Sequence, residues 1–432
     1  MQKFDAVIIG SGPGGAKAAK VLAENGKKVA LISNQLGGEC LNYGCIPAKN
    51  YLHIADIFEK ITSAQILGIS ATDPHLDWEA MKKRKTEIVT KLAKNLKWSL
   101  EKSGITLIEG KGILTGKNSV KVNEEIFESE YIIIATGSAP VFPATLQQSE
   151  NIISNREIID LPAVPKTLLI VGGGVIGVEF ASIFSTLGSK IEIVEKGSRL
   201  LPYADGEVST EIKRIFERKG IKVSLNTEAT TQTASGFEKT LVAVGRRPAT
   251  ENLGLDTVGV IFDKSGITTN DFMQTNVPHI FAVGDIAGKM MLANSAEFEG
   301  KLAAEKILGK NPEPLNYSAI PNTVYCLPEI ASVGITEEQA KEQNIDYVTS
   351  KALSAEIAKA LIVGNRDGFT KIIAEKKSRK LIGVHMIGEK SSELIAEASL
   401  ALSANMTIEE FKKNIHNHPI LGESIQEALQ KI

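Results

Sequence analysis

Residues 4–33 read FDAVIIGSGPGGAKAAKVLAENGKKVALIS, an apolar run, a glycine-rich turn, an alanine-rich segment and a second apolar run. This order predicts a strand, a tight turn, a helix and a second strand, the βαβ unit that binds dinucleotides. Its glycines are Gly10, Gly12 and Gly15. The first permits the turn, the second lets the backbone approach a pyrophosphate, and the third lets the helix pack on the strand. A purely structural glycine turn is the alternative, but the flanking strand and helix favour nucleotide binding.

The same pattern returns at residues 166–196, KTLLIVGGGVIGVEFASIFSTLGSKIEIVEK, so the chain should hold two nucleotides. The glycines of this second copy are Gly172, Gly174 and Gly177. Glu195 follows its second strand, where a carboxylate accepts hydrogen bonds from a ribose diol and repels a 2′-phosphate. The second copy should therefore prefer NAD to NADP. The first copy has Ser33 at this position, so its ribose contact is expected from Ser33, Asn34 or water.

The composition limits the class of protein. At 432 residues, the chain is long enough for two or three domains with their own cores. Its 49 Lys and Arg residues nearly balance 51 Asp and Glu residues, and the net charge of −2 gives no general attraction for nucleic acid or an anionic membrane. No apolar run approaches the roughly 18 residues of a membrane span, and no charged leader precedes the first strand. With only three cysteines, these features predict a cytoplasmic protein whose partners are small molecules or other proteins.

Two of the cysteines, Cys40 and Cys45, lie in the segment GGECLNYGCIPAKN (37–50), just after the first nucleotide-binding unit. A metal site would need two further Cys, His, Asp or Glu ligands at matching spacing, which the neighbouring sequence does not offer. Buried cysteines without chemistry are a second alternative. The glycines and the proline around the pair indicate a shaped turn, so the pattern favours a redox-active disulfide.

A disulfide between Cys40 and Cys45 restricts the local backbone. Residues five positions apart in one continuous helix have Cα atoms about 8.7 Å apart, beyond the limit of about 7 Å for a disulfide. We therefore expect Cys40 in a turn, which Gly37 and Gly38 permit, and the start of a helix near Cys45. A thiolate at a helix N-terminus is stabilised by the backbone amides.

Three apolar strands further along the chain end in glycine or acidic residues. They are YIIIATGSAP (131–140), KTLVAVGRRPAT (239–250) and HIFAVGDIAG (279–288). The candidate cofactor contacts in these segments are Thr136, Gly137, Gly245, Arg246 and Asp285. After the Pro-rich NPEPLNYSAIPN (311–322) the strands become shorter and mixed, which predicts a separate last domain.

The C-terminal segment HNHPILGESIQEA (416–428) contains two of the six histidines, His416 and His418. Chance, a metal pair and a catalytic base are the alternatives for these two residues. An imidazole is suited to deprotonating a substrate thiol when a carboxylate orients the ring, which makes His418 and Glu423 a candidate dyad. Two other charged residues, Lys49 and Glu179, are either surface charges or an ion pair.

Together these segments resemble the pyridine nucleotide-disulfide oxidoreductases, and most of all the members that oxidise dihydrolipoamide. The similarity covers nearly the whole chain in the family's order: GSGPGG, GGECLNYGCIPAK, ATGSAP, GGGVIGVE, VAVGRRP, FAVGDIAG, PEIASVGITEEQA and HNHPILGE. It implies an α/β fold with two Rossmann-like dinucleotide-binding domains and a C-terminal α+β dimerisation domain. The expected bounds are 1–145 for the FAD-binding domain, 146–267 for a shortened NAD-binding domain, 268–312 for a return to the FAD-binding domain and 313–432 for the C-terminal domain.

The resemblance also implies cofactors, partners and a reaction. FAD should bind the first copy, with Asp285 and Gly112 as further contacts, and NAD should bind the second copy; no metal is expected. The implied reaction takes electrons from dihydrolipoamide on a lipoyl carrier domain, through the cysteine pair and FAD, to NAD. The protein should form a homodimer and serve a 2-oxoacid dehydrogenase or glycine cleavage complex.

Catalytic roles follow from the same resemblance. Cys45 should lie against the flavin as the charge-transfer thiolate, while Cys40 exchanges with the substrate. His418, oriented by Glu423, should act as the base and come from the other subunit. The ion pair expected beside the flavin is that of Lys49 and Glu179.

Two other functions are compatible with the sequence. One is an NAD(P)H-dependent reductase of glutathione or another low-molecular-weight disulfide, which Glu195 and the HNHP segment disfavour. The other is a catalytically weakened flavoprotein subunit of a multienzyme complex. The presence of both cysteines together with the histidine and glutamate of the candidate dyad argues against the second.

Four features depart from the family pattern and motivate these alternatives. Ser33 stands in place of an acid, which weakens the expected hold on FAD. Glu39 replaces a small residue or Thr beside the first cysteine, and its charge is expected to raise the pKa of the Cys40 thiol. Tyr43 stands between the cysteines and is expected to narrow the approach to them. Residues 225–240 are shorter than usual, so the NAD-binding domain should be trimmed.

Overall fold

The computed structural model describes residues 2–432 and contains both parallel and antiparallel sheets. The strands are β1 Gln2–Ile9, β2 Val29–Ile32, β3 Thr106–Ile108, β4 Gly112–Gly116, β5 Ser119–Val122, β6 Glu125–Ile134, β7 Ser138–Pro140, β8 Ile152–Ile153, β9 Thr167–Val171, β10 Lys190–Val194, β11 Lys222–Ser224, β12 Lys239–Val242, β13 Arg246–Pro248, β14 Phe262–Asp263, β15 Gly266–Ile267, β16 Ile280–Ala282, β17 Asn322–Val324, β18 Glu329–Gly334, β19 Tyr347–Leu353, β20 Phe369–Glu375 and β21 Leu381–Gly388.

Helices connect these strands. The α-helices are α1 Pro13–Glu24, α2 Gly38–Asn42, α3 Cys45–Ser63, α4 Trp78–Lys102, α5 Asn155–Ile158, α6 Val175–Thr186, α7 Gly206–Arg218, α8 Thr231–Ala234, α9 Leu255–Val258, α10 Ala293–Ile307, α11 Glu337–Glu342, α12 Ala358–Ile362, α13 Ser391–Ser403, α14 Ile408–Phe411 and α15 Glu423–Gln430. Short 3₁₀ helices span Ala64–Leu67, Gly284–Ala287, Tyr317–Ala319 and Ser354–Glu356.

The chain forms two compact units. The first comprises the residues up to Ala48, Glu79–Val141 and Gly245–Tyr317. The second comprises Lys49–Trp78, Phe142–Val244 and Ser318–Ile432.

The first unit is built on a sheet in the order β3-β2-β1-β6-β5-β4, with β16 also pairing with β6. The strands β3, β2, β1, β6 and β16 run parallel, and Ile9 stands opposite both Ile32 and Ile134. Apolar side chains cover both faces, since Val7 of β1 lies in one buried cluster and Ile8 in another. Because the carboxyl ends of parallel strands share one edge, the turns after β1, β2, β6 and β16 meet there.

Helix α1 packs tightly against α10 in this unit. A Cβ atom on Gly300 would lie 2.1 Å from the carbonyl oxygen of Gly14, and one on Gly14 would lie 2.8 Å from that of Ala296. Only a hydrogen in place of each side chain allows this approach. The contact therefore sets the position of α1, whose N-terminus opens at the glycine turn.

The second unit contains two sheets. A parallel sheet in the order β11-β10-β9-β12-β8 carries the second glycine turn, between β9 and α6. An antiparallel sheet in the order β17-β18-β21-β20-β19 packs against α13 and α15 around a separate apolar cluster. A buried ion pair, Lys371 Nζ to Asp205 Oδ2 at 3.1 Å, joins β20 to the residue before α7. Lys371 also pairs with Glu207 at 2.9 Å and with Glu337 at 2.6 Å, so several carboxylates compensate its charge.

The predicted α/β class, with two glycine-turn parallel sheets and a third, mixed domain, is confirmed. Two long stretches lie in a different unit from the one expected, and the first is Lys49–Trp78, which was expected in the FAD-binding domain but belongs to the second unit. Residues 245–267 were expected in the second nucleotide-binding domain, but they belong to the first unit, where β13 pairs with β7 and Leu253 and Leu255 join the core. Leu253, Leu255, Val258, Val260 and Ile267 are buried in the core of the first unit, which explains why these residues belong to it. Among residues 2–432, no helix is both long and apolar enough to cross a bilayer.

The α1–α10 contact can be tested with Gly300→Ala. Alanine favours a helix, but its Cβ atom would collide with the backbone of Gly14, so we expect a net loss of about 1–3 kcal/mol and a lower Tm. The matched control is Gly236→Ala, where a Cβ atom meets nothing closer than 3.6 Å. Thermal unfolding followed by circular dichroism measures both. Equal Tm values for the two variants would contradict the packing argument.

Candidate redox active site

The cysteine segment is divided between two helices. Cys40 lies in α2, Cys45 is the first residue of α3, and Tyr43 and Gly44 separate the helices. The structure brings the two cysteines together as a near-disulfide pair. The start of a helix at Cys45 agrees with the sequence expectation, whereas Cys40 lies in a short helix instead of a turn. The break after α2 supplies the change of direction that one continuous helix would not permit.

Backbone hydrogen bonds hold α2 next to the first glycine turn. The N–H of Gly37 donates to the carbonyl oxygen of Ser11 at 3.1 Å. The buried Asn42 side chain donates to the carbonyl oxygens of Leu36 and Gly38, at 2.9 and 2.8 Å. Gly37 has a φ of 87°, a conformation that side chains disfavour. These contacts place Cys40 close to the turn that opens α1.

The two glycine turns have the same geometry. In the first, a Cβ atom on Gly10 would lie 2.2 Å from the Ala135 carbonyl oxygen, and one on Gly15 would lie 2.0 Å from that of Gly10. In the second, the matching distances are 2.4 Å from Gly172 to Ala243 and 2.0 Å from Gly177 to Gly172. The turns therefore require glycine for close packing of helix on strand.

The middle glycines face open space. A Cβ atom on Gly12 or on Gly174 would meet nothing within 4 Å. Each is the N-cap of its helix, α1 or α6, and no side chain caps the first-turn amides. Such a cradle fits a diphosphate group, which accepts hydrogen bonds from these N–H groups and is favoured by the helix dipole.

The residue that follows the second strand of the βαβ unit differs between the two copies: it is Ser33 after β2 and Glu195 after β10. Glu195 accepts hydrogen bonds from the N–H groups of Gly173, at 2.6 Å, and Gly197, at 2.5 Å. In the first copy, the Ser11 hydroxyl donates to the Ser33 hydroxyl at 2.7 Å, and Ser33 donates to the carbonyl oxygen of Gln35. A carboxylate thus lies beside the glycine turn of the second copy, whereas a pair of hydroxyls occupies this place in the first.

The strand-to-glycine segments around Thr136 and Gly245 pair with each other. Strands β7 and β13 are antiparallel, and Arg246 stands opposite Pro140. Thr136 donates to the carbonyl oxygen of Ala249 at 3.2 Å, and the N–H of Ala249 donates to the carbonyl oxygen of Gly137 at 2.9 Å. The segments thus form one wall beside the glycine turn of the first unit.

Asp285 lies at this same edge, three residues after the last residue of β16, Ala282. Its Oδ2 accepts a hydrogen bond from the Ser138 hydroxyl. The preceding residue, Gly284, donates its N–H to the buried Glu299 carboxylate at 2.6 Å, and burial raises the pKa of Glu299. On the other side of the turn, Gly112 packs against β1, where a Cβ atom would lie 3.0 Å from Ile9. Sequence reasoning did not single out Ser138, although it lies in the ATGSAP segment, and it missed Glu299, which lies in none of the motifs.

Glu39 makes an ion pair with Arg246. The distance from Arg246 Nη1 to Glu39 Oε1 is 3.1 Å. The sequence predicts that the charge of Glu39 raises the pKa of the Cys40 thiol. The structure sets the Arg246 guanidinium against this charge, and the effect on the Cys40 thiol stays a prediction. The neighbouring Tyr43 hydroxyl donates to Gln35 Oε1 at 2.9 Å.

Lys49 and Glu179 form a close ion pair within the second unit. Lys49 Nζ lies 2.8 Å from Glu179 Oε2, and Glu179 is only 4% exposed. Glu179 also accepts a hydrogen bond from the N–H of Tyr325 at 3.0 Å, and Lys49 Nζ lies 4.7 Å from the centre of the Tyr325 ring. Lys49 and Glu179 therefore form an ion pair and are not two separate surface charges. Tyr325 was not foreseen, because it is distant in sequence from both charged residues.

His418 and Glu423 form a hydrogen-bonded pair in the second unit. His418 Nδ1 lies 2.7 Å from Glu423 Oε1, and 73% of the His418 side chain is exposed. Glu423 Oε2 accepts the N–H of Ile420, and the bonds from His418 and Ile420 lower the pKa of Glu423. The hydrogen bond to Glu423 uses Nδ1, so it leaves the other ring nitrogen, Nε2, outside this pair.

His416 has a different partner. Its Nε2 lies 3.1 Å from both carboxylate oxygens of Glu397 on α13, which anchors this segment. Within the part of the chain that the structure describes, no group of three or more His, Cys, Asp or Glu side chains is arranged to hold a metal ion.

The comparison with known families decides the affiliation. Residues 4–300 match the family described as pyridine nucleotide-disulphide oxidoreductase, and residues 320–429 match its dimerisation domain. The chain belongs to the pyridine nucleotide-disulphide oxidoreductases. The resemblance found in the sequence is thereby confirmed, and so is the enzyme class, an FAD-dependent oxidoreductase that uses a pyridine nucleotide.

Individual relatives agree with this affiliation over nearly the full length. A dihydrolipoyl dehydrogenase from Chlamydia muridarum is 38% identical over 443 residues, covering 98% of this chain and 95% of that protein. The crystal structure of LpdA from Mycobacterium tuberculosis has a TM-score of 0.90 and 25% identity, covering 100% of this chain and 99% of that one. The HOCl-induced flavoprotein disulfide reductase RclA from Escherichia coli has a TM-score of 0.89 and 27% identity, covering 99% of both chains.

The Lys49–Glu179 pair generates a prediction about stability. Lys49→Met leaves the buried Glu179 carboxylate without its cation, so we expect the free energy of unfolding to fall by roughly 1–3 kcal/mol. Lys49→Arg, which keeps the charge, is the control. Urea unfolding measures the difference in the free energy of unfolding. Equal values for wild type and Lys49→Met would show that the Lys49–Glu179 ion pair does not stabilise the fold.

The His418–Glu423 pair generates a prediction about titration. The pKa of Glu423 should lie below its usual value, and His418→Ala should raise it because the main hydrogen-bond donor is removed. A carbon-detected NMR titration of the Glu423 carboxyl measures this shift. His75→Ala, which removes an exposed imidazole elsewhere, should leave it unchanged. A Glu423 pKa insensitive to His418→Ala would show that the pair does not form in solution.

Proposed function

We propose that this chain oxidises dihydrolipoamide and passes the electrons to NAD. The observation that carries the proposal is the Cys40–Cys45 pair, held beside the first glycine turn by α2 and the N-terminus of α3. The relatives named dihydrolipoyl dehydrogenase support this choice of substrate. Glu195, placed to accept a ribose diol, supports NAD as the acceptor.

His418 begins the proposed reaction. Its Nε2 takes the proton of one substrate thiol, while Glu423 holds the other ring nitrogen and stabilises the imidazolium. The substrate thiolate attacks Cys40 Sγ, the Cys40–Cys45 bond breaks, and Cys45 leaves as a thiolate. The second substrate thiol then attacks the substrate sulfur bonded to Cys40, which expels the Cys40 thiolate, and the proton of the attacking thiol passes to this thiolate. The substrate becomes a cyclic disulfide, and the cysteine pair has gained two electrons.

The α3 N-terminus suits Cys45 to this leaving role. Its sulfur lies at the first residue of a nineteen-residue helix, where the backbone amides stabilise a thiolate. Lys49 lies one turn later on the same helix and is held by Glu179. We propose that Glu179 holds the Lys49 ammonium group in a fixed position on α3, one turn after Cys45.

The first unit has the features that FAD requires. Gly10, Gly12 and Gly15 would hold its diphosphate at the N-terminus of α1, and Asp285 would bind hydroxyl groups of the ribityl chain. The further proposed contacts are Ser33, Gly112, Thr136, Gly137, Gly245 and Arg246. When bound, FAD supplies the two-electron carrier between the cysteine pair and NAD.

The second unit has the features that NAD requires. The proposed diphosphate contacts are Gly172, Gly174 and Gly177. Glu195 would accept the ribose hydroxyls. Residues 225–238 between β11 and β12 contain α8, so this part of the site is compact.

We also propose the assembly and location of the protein. The dimerisation domain at residues 320–429 supports a homodimer, in which His418 would serve the cysteine pair of the partner subunit. A lipoyl carrier domain of a 2-oxoacid dehydrogenase or glycine cleavage complex would deliver the substrate. The low cysteine content supports a reducing compartment, the cytoplasm.

Anaerobic assays with dihydrolipoamide and NAD test the proposal. Wild type should form NADH, followed at 340 nm, and dithiol reduction should produce a long-wavelength absorbance band. Cys45→Ser should lose both signals, whereas Cys326→Ser, which alters a buried cysteine outside the pair, should keep them. His418→Gln should lower kcat by roughly 10²-fold or more.

Other outcomes would identify the alternatives. A protein that holds FAD but reduces glutathione or another small disulfide with NADPH would be a reductase. A protein that holds FAD and binds a lipoyl domain without turnover would be a structural subunit. Either result would overturn the lipoamide assignment.

A further inference from the structure

The residue beside the first redox cysteine has a specific partner. Glu39 precedes Cys40 on α2, and its carboxylate lies 3.1 Å from Arg246 Nη1. The side chains of Glu39 and Arg246 are only 21% and 14% exposed. Such shielding from solvent makes the pair more consequential than an exposed surface pair.

Arg246 is fixed on its other side by Ser138. Its Nε donates to the Ser138 hydroxyl and its Nη2 to the Ser138 carbonyl oxygen, both at 2.8 Å. The Ser138 hydroxyl in turn donates to Asp285. A continuous chain of polar contacts therefore joins the segment of the first redox cysteine to the carboxylate proposed to hold FAD.

We propose that Arg246 is a positioning residue for the redox segment: through Glu39 it holds α2 in place and offsets the negative charge next to Cys40. The proposal rests on the proposed function for the role of Cys40. It assigns to Arg246 a task that is separate from direct contact with a cofactor. It also explains how the chain accommodates an acid directly before a cysteine that must react as a thiolate.

The structure places one positive charge, Arg246, directly beside Glu39 and one negative charge, Asp285, farther along the same chain of polar contacts. Arg246 on β13 faces Glu39 directly, and Asp285 lies beyond Ser138. Asp285 is shielded from Glu39 by the guanidinium and the serine. With Arg246 present, the Glu39 charge is balanced locally. Without Arg246, the Glu39 carboxylate would lose this cation, and its negative charge beside Cys40 would disfavour the thiolate.

The test measures the reactivity of Cys40 in the purified, dithiol-reduced protein. Iodoacetamide alkylates the thiolate, and mass spectrometry assigns the modified cysteine, so the rate constant for Cys40 is obtained at pH 7 without NAD or lipoamide. The variants are Glu39→Gln, Arg246→Gln, the double variant and Arg246→Lys. Bound FAD and the circular dichroism spectrum are recorded for each one.

The pair predicts opposite signs for the two single changes. Arg246→Gln should slow alkylation of Cys40 by roughly three-fold, and Glu39→Gln should accelerate it by a similar factor. The double variant should return close to wild type, and Arg246→Lys should retain most of the wild-type rate. These signs separate a charge effect from a structural one, since a loosened α2 would change both rates in the same direction.

Contrary results are equally clear. Slowing by both single variants, or no change in either, would overturn the proposal. Loss of FAD from Arg246→Gln with an unchanged Cys40 rate would assign Arg246 to cofactor binding alone. If Arg246→Gln does not fold, Glu39→Gln decides: faster alkylation supports the proposal, and an unchanged or slower rate refutes it. Because no turnover is required, a wrong lipoamide assignment would leave this experiment interpretable.

Discussion

The close approach of a helix to the strand before it is the constraint on which both nucleotide sites depend. A Cβ atom on Gly15 or Gly177 would lie 2.0 Å from the carbonyl oxygen of the first glycine in its own turn. Glycine at these positions lets α1 and α6 begin directly at the sheet edge, with their first amides uncapped and facing open space. The parallel strands beside them bring Asp285 and Glu195 to the same edges.

The cysteine segment uses this constraint for redox chemistry. The hydrogen bond from Gly37 to Ser11 ties α2 to the first glycine turn, and the break at Tyr43 and Gly44 brings Cys40 and Cys45 together. Arg246 reaches the segment from β13, which pairs with β7 at the same end of the unit. The cysteine segment is thus joined by hydrogen bonds to the first glycine turn and, through Arg246 and Ser138, to Asp285.

The two copies of the glycine turn differ at the position after the second strand, which is proposed to distinguish FAD from NAD. Glu195 supplies a carboxylate in the second copy, whereas Ser11 and Ser33 share a hydrogen bond in the first. The steric requirements of the turn are met equally in both copies. The difference at this position is the one that the proposed ribose contacts depend on.

The sequence by itself determined the local units of this protein. Glycine spacing between apolar runs identified both βαβ units, and the order of the motifs identified the family, because these patterns depend on residues close together in the chain. Individual contacts such as the His418–Glu423 hydrogen bond were also foreseen, since five positions of sequence limit how far the two side chains can separate.

Only the tertiary structure decided the long-range partners. Glu39 meets Arg246 across 207 positions, Glu179 meets Tyr325 across 146, and residues 245–267 join the first unit. No local pattern encodes these contacts, because they arise only when the fold brings together helices and strands that are distant in sequence. The consequence is chemical: the acid on α2 that precedes Cys40 lies against an arginine on β13, whose positive charge opposes that of the acid.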